Sequence, residues 1–236
     1  MSNPLLKDSV FRMSAGSDKV MTLSGTVNKG IILWIFLVAS AFYSWTNPNI
    51  VMPLLFPILI CAFGLVTVLV FKKALTPYLS PLYAICEGLI LGMISLHFEK
   101  SCPGIVVNSI LLTICVLFCM LASYKAGILK ATSRFKKIVI LSTFTISFVY
   151  IVDLVLNVFG LGNFSYIHNS SSLGIIINFA VVVIASFNLI VDFDLIENAV
   201  SYGSHKYMEW YCAFSLMVTL VWLYLEVLRL LSKIRD

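Results

Sequence analysis

Between charged or Pro/Asn-rich breaks the chain carries seven apolar runs: approximately Gly30 to Trp45, Ile50 to Phe71, Leu79 to Phe98, Gly104 to Tyr124, Ile138 to Phe159, Leu173 to Ile196 and Tyr207 to Leu231. A bilayer core about 30 Å thick needs ~20 apolar residues per helix, so each run is a candidate span. Closed β-barrels also satisfy every backbone group in lipid, but their strands alternate apolar with polar residues. Ile58 to Phe71 and Phe179 to Val191 are nearly unbroken instead. The pattern predicts an all-α integral membrane protein, a seven-transmembrane-helix bundle. The polar stretch Met1 to Lys29 is too long for the n-region of a signal peptide, and no small-residue cleavage site follows it, so the first run reads as a retained helix. The expected organisation is a polar N-terminal segment, 1–29, followed by a single membrane domain, 30–236. Its longest connections, Lys125 to Lys137 and Gly160 to Ser172, are a basic loop and a Gly/Asn/Ser-rich turn region. Pro53 and Pro57 are placed to bend the second span.

Composition narrows the function classes. Hydrophobic residues make up 60% of the 236 positions and charged residues 11%, against about 45–50% and 25% in soluble domains. Nothing is left over for a separate soluble catalytic domain. No G-x-S-x-G, H-E-x-x-H, Walker or Rossmann pattern occurs, so nothing points to a hydrolase, an NTPase or a nucleic-acid binder, and neither enzymatic activity nor a cofactor is expected. The six cysteines include no C-x-x-C and imply no disulfide. His97, Glu99 and Cys102 are close enough to suggest metal ligands, but an isolated cluster of this kind reads as structural. Asn163-Phe-Ser165 and Asn169-Ser-Ser171 fit the glycosylation sequon.

The formal net charge of +5 matters less than its placement. With the N-terminus inside, 12 of the 16 Lys and Arg fall on the inner side and only Lys100, Arg229, Lys233 and Arg235 on the other. Short cytoplasmic loops carry the basic excess, so a cytoplasmic N-terminus is expected. A basic tail after Leu231 leaves open a re-entrant last segment with both ends inside.

The acids are the informative residues. Glu87, Asp153, Asp192, Asp194, Glu197, Glu209 and Glu226 fall inside or at the ends of the spans. An acid at the bilayer centre costs about 2.5–3.5 kcal/mol on insertion scales, so such groups usually face a bundle interior or water and mark an ion or proton path. Against them the runs offer essentially one permanent cation, Arg229. Near neutral pH some of these carboxyls are therefore expected to be protonated, to hold a cation or to sit in water. Alternating helix directions place Asp192, Asp194 and Glu209 near the inner face, Glu87 at mid-membrane, and Asp153, Glu226 and Arg229 toward the outer face. Asp192 and Asp194, two residues apart, diverge by about 200° on a helix and cannot share one site. Gly88 and Gly92 form a small-xxx-small pattern that favours close helix packing beside Glu87.

Asp192-Phe-Asp-Leu-Ile-Glu-Asn-Ala-Val-Ser-Tyr-Gly203, with Lys206-Tyr-Met-Glu-Trp-Tyr211 and Leu223-Tyr-Leu-Glu-Val-Leu-Arg-Leu-Leu231, resembles the Bax inhibitor-1 (TMBIM) family, particularly its bacterial YccA-like branch. Asn3-Pro-Leu-Leu, Met21-Thr-Leu-Ser-Gly-Thr-Val-Asn28 and Glu87-Gly-Leu-Ile-Leu-Gly92 extend the resemblance over most of the chain. It implies a seven-helix fold with a central last helix. It also implies a pH-sensitive calcium leak in which an aspartate of the sixth helix pairs with one of the seventh. The sixth-helix aspartate matches Asp192. The seventh-helix positions read Ala213, Leu216 and Met217, so Glu209 or Asp194 would have to serve as partner.

The leading expectation is a Ca²⁺ or other cation leak through the bundle, gated by protonation of buried carboxylates. Asp192 would be a transient Ca²⁺ ligand, with Asn178, Asn188 and Thr219 adding the oxygens that hard cations prefer. Two alternatives stand beside it. One is a regulatory protein of a bacterial inner membrane that binds a membrane protease through its basic loop and N-terminal segment, and the other is an H⁺-coupled transporter.

Overall fold

Thr22 opens the first helix. Its hydroxyl accepts a hydrogen bond from the Gly25 N–H at 3.0 Å, satisfying one of the donors that a helix start leaves without an intrahelical partner. Helix α1 then runs Leu23–Thr46, starting two turns before the hydropathy boundary at Gly30. Lys29 consequently lies within a helix, not in a polar tail. The computed structural model describes residues 20–160 and 171–235; the sequence motif at Asn3, most of the polar N-terminal segment and the sequons at Asn163 and Asn169 lie outside them.

Among the described residues six more long helices follow: α2 Pro48–Phe71, α3 Thr76–Ser101, α4 Ile105–Lys125, α5 Ser133–Val158, α6 Ser172–Ser201 and α7 Met208–Arg235. Among the described residues seven helices are long and apolar enough to cross a membrane, and the protein is an all-α integral membrane protein. Pro53 falls in a 3₁₀ turn, Met52–Leu54, that interrupts α2 near its start, where a missing N–H disturbs the α-helical ladder least. The last helix is one unbroken element of 28 residues, about 42 Å long at 1.5 Å per residue, enough to traverse the bilayer without a re-entrant turn. Between its ends it buries Cys212, Ala213, Met217, Leu220, Leu223 and Leu228 among others. These are the inward apolar positions expected of a core helix.

The chain divides into two compact units, one formed by Met1–His97 with Asp194–Met217 and the other by Phe98–Phe193 with Val218–Asp236. In the first, α1 buries Thr26, Leu33, Leu37, Ser40 and Ser44, a stripe at helical spacing. Gly88 and Gly92 of α3 meet it. A Cβ on Gly88 would overlap the Leu37 carbonyl and the Ser40 hydroxyl, and one on Gly92 would overlap the Ala41 carbonyl. With backbones this close, the Ser44 hydroxyl reaches across to the Leu89 carbonyl at 2.7 Å. Met21, Ile196, Ala199, Met208 and Cys212 form an apolar cluster under the start of α1, and the Met21 N–H donates to the Ser204 carbonyl at 2.8 Å.

In the second unit, the Asn188 amide donates to the Thr143 hydroxyl at 2.9 Å, linking α6 to α5. Phe135 packs edge-on against Phe187 at 5.5 Å between centroids. Glu99 caps α4: its carboxylate accepts from the N–H of Gly104 at 2.6 Å and of Val106 at 3.1 Å. That role at a helix N-terminus explains an acid beside His97 and Cys102 without a metal. Among the described residues no group of three or more His, Cys, Asp or Glu is placed to hold one.

Candidate functional site

Two glutamates of α7, each 1% exposed, anchor the polar interior, one in each unit. Glu209 lies in the first turn of its helix, and its Oε1 accepts from both the backbone N–H and the hydroxyl of Thr22 at 3.0 Å. A capping box places a Glu or Gln three residues after the N-cap, where it accepts that residue's N–H. Here that position is Gly25, and a Cβ on it would overlap the Glu209 carboxylate. Glu209 therefore fills from another helix the space that the absent side chain vacates, and it completes the cap of α1 in trans. Its carboxylate sits at the positive end of the α1 dipole. Lys29 Nζ stands 3.9 Å from Oε2 and 5.7 Å over the Trp210 ring, while Oε2 accepts no hydrogen bond among the described residues.

Glu226 is held more densely. Trp222, Glu226, Arg229 and Lys233 lie at spacings of four, three and four, which puts them on one face of α7. The Trp222 indole N–H donates to Oε1 at 3.2 Å, and Arg229 Nη1 donates to Oε1 at 3.1 Å and Oε2 at 3.2 Å. From α5 the Tyr150 hydroxyl donates to Oε1 at 3.0 Å and itself accepts from Arg229 Nη1 at 2.8 Å. The guanidinium lies 5.1 Å from the centroid of the Tyr150 ring. From α6 the Asn178 amide donates to Oε2 at 3.0 Å. Four donors converge on one carboxylate, so the buried charge is both paired and hydrogen-bonded, the condition for tolerating it away from water.

The remaining acids are spread out. Glu87, half-buried on α3, accepts a hydrogen bond from the Tyr83 hydroxyl one turn earlier. Asp194 accepts from the Asn198 amide at 2.6 Å. Asp192 is 6% exposed and Asp153 is also buried, whereas Glu197 is exposed. Asp192 belongs to the second unit, while Asp194 and Glu209 belong to the first. The polar residues named beside Asp192 have other engagements: Asn188 bonds Thr143 and the Ile184 carbonyl, and Asn178 serves Glu226.

Sequence reasoning missed Thr22, Lys29, Tyr150 and Trp222. Helical spacing alone could have found Trp222, and Thr22 was legible as an N-cap. Tyr150 gives no signal, because its partner is 76 residues away.

A family model described as "Bax inhibitor 1 like" matches residues 3–236. No curated protein and no solved structure matches the chain.

Proposed function

Because the chain belongs to the Bax inhibitor 1 like family, we propose that it is a non-catalytic cation leak, permeable to Ca²⁺ and sensitive to pH, with Asp192 in the conducting path. The observation that carries the reading is an ionisable side chain only 6% exposed within α6, a helix long and apolar enough to cross a membrane. A carboxylate in such a span is costly and is kept where an ion or proton must pass. Carboxylate oxygens suit a hard divalent cation. In the ionised form Asp192 attracts the cation; in the protonated form it donates a hydrogen bond and the path closes. Asp194, Glu87, Glu209, Glu226 and Asp153 are the further candidate acids for the cation path and the pH response in this reading. The basic excess supports a cytoplasmic N-terminus, and a bacterial inner membrane is what the resemblance to the YccA-like branch implies.

The test is Ca²⁺ flux into dye-loaded liposomes across a pH series. Wild type should conduct less as pH falls. Asp192→Asn should flatten the pH profile, and Asp192→Ala, with neither charge nor hydrogen bond, should leave the path open. A wild-type profile in both variants would remove Asp192 as the sensor. No flux above empty liposomes at any pH would favour the second reading, a regulatory subunit that binds a membrane protease. That reading is supported by the connection between α4 and α5, where Lys125, Lys130, Arg134 and Lys137 are exposed together with Ile128.

A further inference from the structure

A cleft of about 140 Å³ opens beside the Glu226 cluster, lined by residues of α5, α6 and α7. Its volume is close to the ~150 Å³ of an apolar cavity that admits benzene, so it accepts a short length of hydrocarbon. Its lining is graded. Lys233 lies two residues from the end of α7 and bonds the carbonyl of Gly174, two residues into α6, at 3.3 Å. Arg229 and Asn178 lie one turn further in, about 9 Å from the same helix ends. Beyond them the walls are apolar, with Ile146, Val149, Ile177 and Val181. Val149 and Ile177 are 37% and 44% exposed, and their neighbours Phe148 and Ile176 are more exposed still. In a membrane-spanning chain, that mouth faces lipid.

Helices of 28 and 30 residues measure about 42–45 Å, the thickness of a bilayer with its headgroups. A depth of about 9 Å is thus the level at which headgroups give way to acyl chains. The cleft is lined by two cations, Arg229 at that level and Lys233 nearer the helix end, and neither Glu226, which pairs with Arg229, nor Asp153 lines it. Among the described residues Arg229 donates its hydrogen bonds from Nη1, and its side chain is 37% exposed, which leaves the rest of the fork available to an anion. Asn178 supplies an independent sign of a ligand. It is 3% exposed and lines the cleft, yet its Oδ1 has no hydrogen-bond partner among the described residues. A buried acceptor of this kind calls for a donor.

We infer that this cleft is a binding site for an anionic phospholipid with a hydroxyl-bearing headgroup. The phosphate lies between Arg229 and Lys233, a headgroup hydroxyl donates to Asn178 Oδ1, and the start of one acyl chain lies along Ile177 and Val149. The site is independent of whether the protein conducts.

The test measures binding to the purified full-length protein in detergent, by native mass spectrometry, with phosphatidylglycerol, phosphatidylcholine of the same chains, and glycerol 3-phosphate as probes. Phosphatidylglycerol should be retained about tenfold better than phosphatidylcholine, and glycerol 3-phosphate should not be retained. Lys233→Gln should weaken retention about fivefold, the factor one basic residue near an anionic surface contributes. Ile177→Trp fills the mouth from a lipid-exposed position and should weaken it comparably with both cations intact, while Lys130→Gln, a basic residue outside the cleft, should leave it unchanged. Equal retention of the two lipids would overturn the site, as would unaltered retention in folded Lys233→Gln and Ile177→Trp. Glycerol 3-phosphate binding as tightly as the lipid would overturn the lipid as occupant.

Discussion

Glu209 and Glu226 sit on the same helix and are equally buried, but they are held by opposite strategies. Glu226 takes a guanidinium at 3.1 Å together with a phenol, an indole and an amide, and three of its four partners come from aromatic or planar groups with few rotatable bonds. Glu209 takes a helix N-terminus and a lysine at 3.9 Å, with one oxygen left without a hydrogen bond among the described residues. A planar guanidinium in contact makes a directional, charge-assisted bond, whereas a flexible ammonium at nearly 4 Å supplies mostly a screened point charge. The Glu226 cluster is therefore a rigid tie among α5, α6 and α7, and the Glu209 cluster is a looser latch holding the start of α1.

The largest effect should come from breaking the tie on one side only. Arg229→Leu leaves Glu226 buried and uncompensated, and should destabilise by about 3–5 kcal/mol. The double variant Glu226→Leu/Arg229→Leu should recover most of that loss. Thermal unfolding in detergent checks both; a double variant as unstable as the single would show that the pair itself, and not the orphaned charge, sustains the unit. Next in size, Gly25→Ala drives a methyl group into the Glu209 carboxylate and should cost about 1–3 kcal/mol, as overpacking does. Gly30→Ala meets nothing within 4 Å and should stabilise α1 by up to ~1 kcal/mol. Equal effects from the two would dissolve the latch. Thr22→Val removes the cap and one Glu209 bond together, for about 1 kcal/mol, and amide exchange should quicken over the first turn of α1 but not over α5. The smallest effect belongs to Lys29→Gln. A pair at 3.9 Å with a partly exposed lysine contributes about 0–1 kcal/mol, so its loss should fall well below that of Arg229→Leu; a comparable loss would erase the contrast between tie and latch.

Much of this was legible along the chain, and the rest was hidden for specific reasons. Hydropathy marks a span by its average, so it located all seven helices but missed the two polar turns that begin α1 at Leu23. Those turns are helical because Thr22 caps them and Glu209 covers them, and both contributions are invisible to an average. The same error assigned Lys29 to a tail and left Arg229 as the lone cation of the spans. Glu226 and Arg229 were readable as neighbours from their spacing of three, as was Trp222 from its spacing of four.

What the sequence determined by itself is set by local chemistry. Unbroken runs of apolar residues dictate helices that cross a bilayer, because a helix satisfies its backbone within one segment whereas a barrel strand would alternate apolar with polar residues, and an acid within such a run is marked as exceptional whatever surrounds it. What only the tertiary structure decided is which donors each acid meets. Thr22 and Glu209 are 187 positions apart, and Tyr150 and Glu226 are 76 apart. Contacts at such separations follow from how helices pack side by side, and nothing in the period of a single helix encodes its neighbour. The glycine at position 25 shows the two levels meeting. Along the chain it is only a weak helix former, and against α7 it is the space that a glutamate needs.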